Sequence, residues 1–187
     1  MEKPQFLLVG CLILLHIVVA PWSWAANGDR FTELAKKAQT EYSLAQEEWQ
    51  RGLAELVIRT NPEFTAVASA QRDLQLASIA LRTARFDYLL QHEPSRIVLT
   101  NGLSQFSNFN WSDDDSRALI ELDPSYAALE RKVSESRRKN DAQPDWARFR
   151  EYFRNTLSHS NEYQVLLKEF MSRTKQVEAL LQLYKAK

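Results

Sequence analysis

The sequence predicts an all-α protein: an elongated helical bundle built on one long antiparallel helical hairpin with an alanine-rich seam, plus two to three further helices. Glycine is scarce, with four in 187 residues, and apolar residues recur every three or four positions, which is the helical period. Helix-start signals occur at several positions, as at Asn61-Pro62 and Asp123-Pro124, where a capping residue precedes proline.

Residues 1–25 have the layout of a secretory signal peptide. An apolar run, residues 6–20, follows a short N-terminal region, and Ser23 and Ala25 supply the small residues that signal peptidase requires. We therefore expect cleavage after Ala25 and a location in the bacterial periplasm or outside the cell.

Two alternatives for this leader stay open. Residues 8–11, Leu-Val-Gly-Cys, match the letters of a lipid-attachment box, although the apolar run continues well past Cys11. A retained anchor is the second alternative, because residues 6–26 are just long enough to span a bilayer. Cleavage after Ala25 is the favoured prediction, and it leaves a mature chain, residues 26–187, without cysteine.

The composition bounds the class of protein. About 160 residues suffice for a single domain whose core needs no disulfide. Lysine plus arginine equals aspartate plus glutamate at 24 each, which argues against a general nucleic-acid or membrane-surface binder. We expect no nucleic-acid partner and no stable membrane insertion once the leader is removed.

The hairpin, residues 29–92, is predicted from two long helices joined at Thr60-Asn61-Pro62, with Asp29 as the first N-cap. So short a turn makes the helices antiparallel. Each helix carries a stripe with a period of about 3.5 residues in which small and large side chains alternate, and we expect the two stripes to pack on each other. The stripes are Phe31, Ala35, Ala38, Tyr42, Ala45, Trp49, Gly52 and Leu56, then Val67, Ala70, Leu74, Ala77, Leu81, Ala84 and Tyr88.

The helical pattern stops in residues 93–112, which we interpret as an aromatic non-helical loop. One hypothesis is that its aromatic side chains fold back over the bundle. The other is that the loop is exposed and binds a partner, which makes Phe106, Phe109 and Trp111 candidate contact residues.

Residues 113–187 are predicted to form the C-terminal helices. A third helix begins at Ser112 and is interrupted at Asp123-Pro124. A short amphipathic helix follows, with an apolar face of Trp146, Phe149 and Phe153. The last helix begins near Asn161, and its stripe comprises Tyr163, Leu167, Phe170, Val177, Leu181 and Tyr184.

Two charged clusters lie on the third helix. Residues 113–115 are three aspartates that favour a helix N-terminus, where negative charge meets the helix dipole, over a calcium loop, whose spacing they lack. A basic run ends in Arg137-Arg138-Lys139. It complements the C-terminal end of the dipole, and the alternative is a site for an anionic partner with Arg137 and Arg138 as contacts.

No catalytic constellation emerges from the sequence. The mature chain has no cysteine, no G-x-S-x-G motif and no glycine-rich phosphate loop, and neither His92 nor His159 belongs to an E-x-x-H motif. We therefore predict no catalytic, metal-binding or cofactor-binding residues, and no cofactor. An enzyme with a dispersed carboxylate site stays open as a third hypothesis.

The hairpin resembles the N-terminal domain of LprI-type lysozyme inhibitors, small secreted bacterial proteins. The similarity lies in residues 46–56 (QEEWQRGLAEL), in Ala-Gln-Arg at 70–72 and in Arg-Phe-Asp at 85–87, and it covers about a third of the chain. The resemblance implies a periplasmic protein that binds and blocks a cell-wall hydrolase.

The leading hypothesis is therefore an exported, non-enzymatic helical protein that binds another macromolecule as an adaptor, a chaperone-like factor or an envelope subunit. Inhibition of lysozyme or another cell-wall hydrolase is the alternative. The expected partner is a protein, and a homo-oligomer is a further expectation because long helical seams also pair between chains.

Overall fold

The computed structural model describes residues 22–100 and 102–185, and these residues form seven α-helices and no strand, which confirms the predicted all-α class. The lipid-attachment box and most of the predicted signal peptide lie outside the described residues. The helices are α1 Trp22–Thr60, α2 Thr65–His92, α3 Gly102–Ser107, α4 Asp113–Leu122, α5 Pro124–Asp141, α6 Trp146–Asn155 and α7 Asn161–Lys185.

The hairpin of α1 and α2 forms the centre of the molecule. The first helix begins at Trp22 rather than near Asp29, and its 39 residues make it about 58 Å long at ~1.5 Å per residue. A 3₁₀ turn, Pro62–Phe64, precedes α2, and the Asn61 side chain accepts a hydrogen bond from the backbone N–H of Glu63. The α7 helix packs along α1, and α5 packs along α2.

The α1 stripe contacts α7 in the half of α1 nearer the hairpin turn. The ring of Trp49 packs on the rings of Tyr163 and Phe170, with centroids 5.8 and 5.3 Å away. Gly52 lies beneath Leu166 of α7. The expectation that these positions face α2 was wrong, because α1 has a neighbour on two sides and its apolar period does not say which neighbour a stripe meets.

The middle of the α2 stripe faces outwards from the hairpin. Ala77 and Leu81 share a buried cluster with Leu119 of α4 and with Tyr126 and Val133 of α5. The predicted stripe-on-stripe packing was therefore wrong at these positions, although Ala77 is buried as expected. Near the hairpin turn, Leu56 and Val67 of the two stripes do share a buried cluster.

A polar layer lies between the two helices of the hairpin. The buried Gln39 side chain donates to Ser43 Oγ at 3.0 Å and to Thr83 Oγ1 at 3.4 Å, and the two hydroxyl oxygens are 3.0 Å apart. Because buried polar groups are costly without partners, this three-residue network favours one register of α1 against α2.

The segment of residues 93–112 differs from the predicted non-helical loop. It contains a 3₁₀ turn, Pro94–Arg96, and the short helix α3. Ile97 and Leu99 are buried, and α3 packs on α7. Most apolar side chains of this segment are buried or packed against the core, and the segment folds onto the bundle.

Side-chain caps mark the helix starts that the sequence indicates. The Ser112 hydroxyl and the Asp115 carboxylate form a capping box at α4, and Asp123 accepts from the N–H of Ser125 at 2.8 Å, so the predicted break between α4 and α5 is confirmed. Among the described residues, no helix is both long enough and apolar enough to cross a membrane.

Candidate anion-binding site

A cavity of about 510 Å³ lies between α2, the residues that follow α3, and α5. We call it the arginine cavity, because three arginines and one glutamate are its charged residues in a chain with no formal net charge. It is lined by Ser78, Leu81, Arg82, Arg85, Ser107, Asn108, Phe109, Trp111, Glu130, Val133, Ser134 and Arg137.

The fold brings three of the five predicted contact residues to this cavity: Phe109, Trp111 and Arg137. Phe106 is fully buried, and its ring packs edge-on against Phe86 at 5.4 Å. The prediction that Phe106 is an exposed partner contact was therefore wrong, because its side chain completes the core between α2 and α7.

Arg138 is exposed on α5 and does not line the cavity. Consecutive residues on an α-helix point about 100° apart. Arg137 can therefore face the cavity while its neighbour projects into solvent.

Trp111 is held in place at the cavity wall by specific contacts. Its indole N–H donates to Ser116 Oγ at 2.8 Å, and its ring meets Tyr88 edge-on at 5.9 Å. The guanidinium of Arg85 lies 5.4 Å from the Trp111 ring centroid, within the range of a cation–π contact. These contacts leave Trp111 half-buried and rigid.

Arg85 is already paired with an acidic residue and a tyrosine. It donates to Glu130 Oε1 at 2.8 Å and to Tyr126 Oη at 3.0 Å, and Tyr126 donates to the same Glu130 oxygen at 2.5 Å. Burial alone would lower the pKa of Arg85, but the hydrogen bonds to Glu130 and Tyr126 outweigh it and raise that pKa. This triad closes one wall of the cavity.

Burial also acts on the two acidic members of the triad. It raises the pKa of the Tyr126 phenol, and the hydrogen bond to Glu130 adds to that rise. For Glu130, burial opposes ionisation, but hydrogen bonds from Tyr126 and Arg85 outweigh it and lower the pKa. Glu130 is therefore ionised and engaged with Arg85.

Arg82 has no such counter-ion. One terminal nitrogen donates to Gln46 Oε1 of α1, and the guanidinium lies 5.7 Å from the Tyr42 ring centroid. Its Nε is buried without a hydrogen-bond partner. Burial lowers the pKa of Arg82, opposed by the nearby Tyr42 hydroxyl. Within residues 22–100 and 102–185, no carboxylate pairs with it.

Arg137 adds a second uncompensated charge. It is exposed at the rim of the arginine cavity, and none of the ion pairs in the described part of the chain includes it. Two guanidinium groups without carboxylates among the described residues therefore lie beside a half-buried indole. An arginine fork is the group that binds carboxylate or phosphate with charge-assisted hydrogen bonds.

The aspartate cluster at residues 113–115 serves the helix start. Asp115 accepts from the Ser112 backbone at 2.7 Å and pairs with Arg96 at 2.6 Å. The Arg96 guanidinium and the Ser112 N–H hold the pKa of the Asp115 carboxyl far below its usual range. In the part of the chain that is described, no three His, Cys, Asp or Glu side chains converge as a metal site.

The sequence did not single out Arg82, which is the most distinctive residue of the cavity. It is one of several arginines on helix positions, and nothing local sets it apart. Its burial beside Gln46 and Tyr42 arises from contacts between α1 and α2 that lie 36 residues apart. To identify Arg82 from the sequence, one would need a pattern that combines residues of α1 with residues of α2.

Comparison of the chain with protein-family models, with curated proteins and with solved structures found no match in any of the three.

Proposed function

We propose that the chain is an exported, non-enzymatic helical protein that binds a partner protein, and that the arginine cavity takes a carboxylate-bearing segment of that partner. The observation that carries the proposal is Arg82, a cavity-lining guanidinium that pairs with no carboxylate of the described residues. A bound carboxylate supplies the missing charge.

The surroundings of Arg82 support recognition of a segment rather than of a free ion. Arg137 extends the positive charge to the cavity rim, and Phe109 and Trp111 add half-buried aromatic surface beside it. Aromatic and arginine side chains are enriched where proteins bind each other. An acidic residue next to an apolar residue on the partner matches both features.

The test is a capture experiment with the mature chain, residues 26–187, and a bacterial envelope extract. We compare the unaltered protein with a variant carrying Arg82→Gln and Arg137→Gln. Arg138→Gln is the matched control, because it removes the same charge one residue away but outside the cavity.

We expect the unaltered protein and the Arg138→Gln control to retain the same acidic protein, and the double variant to lose it. Raising the salt concentration should weaken capture, since exposed charge pairs are screened over about 8 Å at physiological ionic strength. Identical captured proteins for the double variant and the control would rule out the cavity as the contact site.

Export is tested separately by mass spectrometry of the protein made with its full leader. The proposal expects a chain that begins at Ala26. A chain that begins at Cys11 with added acyl mass would establish the lipid-anchored alternative, and an intact Met1 would show that the leader is not cleaved.

The second candidate function, inhibition of lysozyme or another cell-wall hydrolase, is supported by the LprI-like stretch of residues 46–56. Glycosidases work with paired carboxylates, which are the groups an arginine-lined site recognises. Excess mature chain should slow the clearing of a cell-wall suspension by lysozyme. Clearing at an unchanged rate would remove lysozyme as the partner.

A further inference from the structure

A second concave surface lies nearer the hairpin turn, between the C-terminal part of α1, the N-terminal part of α2, and α6. It is a half-open groove of about 520 Å³, within the range of about 300–1,000 Å³ that is usual for small-molecule sites. We call it the α6 groove. It is lined by Gln50, Leu53, Ala54, Val57, Ala68, Gln71, Arg72, Trp146, Phe149, Arg150, Phe153, Arg154 and Ser158.

The floor of the α6 groove is apolar and firmly held. Phe149 packs on Trp146 at 5.6 Å and on Phe153 at 6.3 Å, measured between ring centroids. The Trp146 indole donates to the backbone oxygen of Asn140 at 2.7 Å. The aromatic wall is therefore preformed, which reduces the entropy cost of binding a ligand.

The charged residues that line the groove are all arginines: Arg72, Arg150 and Arg154. Arg72 is neutralised by its neighbour Asp73 at 2.8 Å. Among the described residues, neither Arg150 nor Arg154 forms an ion pair. They stand one helical turn apart on α6, where like charges repel.

An apolar floor bordered by unpaired cations complements a molecule that has an apolar chain and an anionic head group. We propose that the α6 groove binds a single-chain anionic amphiphile of the fatty-acid class. The carboxylate lies between Arg150 and Arg154, and the acyl chain lies on Leu53, Val57 and the aromatic wall. This proposal is independent of the partner protein and of the arginine cavity.

Calorimetric titration of the mature chain with dodecanoate, below its micelle-forming concentration, tests the proposal. We expect saturable binding to one site, and affinity that falls when octanoate or decanoate replaces dodecanoate, by up to about fourfold per methylene lost. Dodecyltrimethylammonium, which has the same tail and the opposite charge, should bind at least about tenfold more weakly.

Three variants separate the head-group contact from the tail contact. Arg150→Gln with Arg154→Gln should weaken dodecanoate binding by about tenfold or more, because a charge-assisted hydrogen bond is lost. Leu53→Gln should weaken it while both arginines stay. Arg148→Gln is the control, since Arg148 belongs to α6 but pairs with Glu63 and Asp145 away from the groove.

Circular dichroism confirms that each variant is folded before it is titrated. The proposal is overturned if dodecanoate shows no saturable binding to the unaltered chain. It is also overturned if the cationic amphiphile binds as tightly as dodecanoate, or if Arg148→Gln weakens binding as much as the paired Arg150 and Arg154 changes do.

Discussion

Gly52 of α1 lies directly beneath Leu166 of α7: a Cβ atom added to Gly52 would stand 2.8 Å from Leu166 Cδ1. Real Cβ atoms essentially never come that close to another heavy atom. The missing side chain lets α7 approach α1 at the level where Trp49 packs on Tyr163 and Phe170. A position predicted to belong to the hairpin seam therefore packs against a different helix.

Gly52→Leu should push α7 away from α1 and destabilise the fold by about 1–3 kcal/mol through overpacking. Chemical denaturation measures the loss. Arg51→Leu is the control, because Arg51 is exposed next to Gly52 and pairs loosely with Glu47, so its replacement should change stability by less than about 0.5 kcal/mol. Equal effects of the two changes would contradict the close approach of α7.

Ala77→Leu should also cost about 1–3 kcal/mol, because Ala77 is buried between α2 and α5. The partner helix can be identified with a second change. Val133→Ala on α5 removes volume from the same cluster and should offset part of the loss caused by Ala77→Leu. Strictly additive effects in the double-mutant cycle would mean that the two residues do not share a site.

Replacement by methionine should destabilise the fold at Arg85 but change its stability little at Arg82. Arg85→Met breaks the pair with Glu130 and the bond to Tyr126, and should destabilise the fold by about 2–3 kcal/mol. Arg82→Met removes a buried charge that has no counter-ion, and it gives up one hydrogen bond to Gln46. Its net effect should stay within about 1 kcal/mol.

Thermal melts of the two methionine variants at neutral pH measure this contrast. If Arg82 binds a ligand and does not stabilise the fold, its replacement should leave the stability nearly unchanged. A loss of stability for Arg82→Met as large as that for Arg85→Met would assign Arg82 a structural role instead.

Asp115 should make the fold acid-sensitive. Its folded pKa is depressed by Arg96 and Ser112, so the stabilisation is complete above the unfolded carboxyl pKa, about 3.9, and falls as the pH drops below it. Asp115→Asn should cost about 1.5–3 kcal/mol at pH 7, since it weakens charge-assisted hydrogen bonds. The cost should shrink towards pH 2.

Urea denaturation of the unaltered protein and of Asp115→Asn at pH 7 and pH 3 provides the measurement. Asp114→Asn is the control, because Asp114 is exposed and pairs only with the exposed Arg117. If both variants lose the same stability at pH 7, the Arg96–Asp115 pair does not stabilise the fold.

The helix boundaries that the sequence predicted correctly depend on contacts within a few residues. Ser112 and Asp123 cap the helices that follow them, and such caps form whatever the rest of the chain does. The start of α1 differs, at Trp22 instead of near Asp29. The helix continues through that capping residue, so a capping residue alone did not define the boundary.

The candidate site was predicted in part. Phe109, Trp111 and Arg137 were identified because aromatic and basic clusters are conspicuous in a sequence, and the fold brings these three to one cavity. Phe106 belongs to the same aromatic cluster in the sequence, but its side chain is buried in the core. A local pattern does not tell an aromatic residue that binds from one that packs.

The sequence by itself determined the all-α class, most of the helix boundaries and which residues form apolar stripes, because period and capping are local properties of the chain. Only the tertiary structure decided that Trp49 packs on α7, that Ala77 packs on α5, and that no carboxylate of the described residues pairs with the half-buried Arg82. Apolar stripes of the same period fit many partners, so the choice depends on how distant helices fill space together.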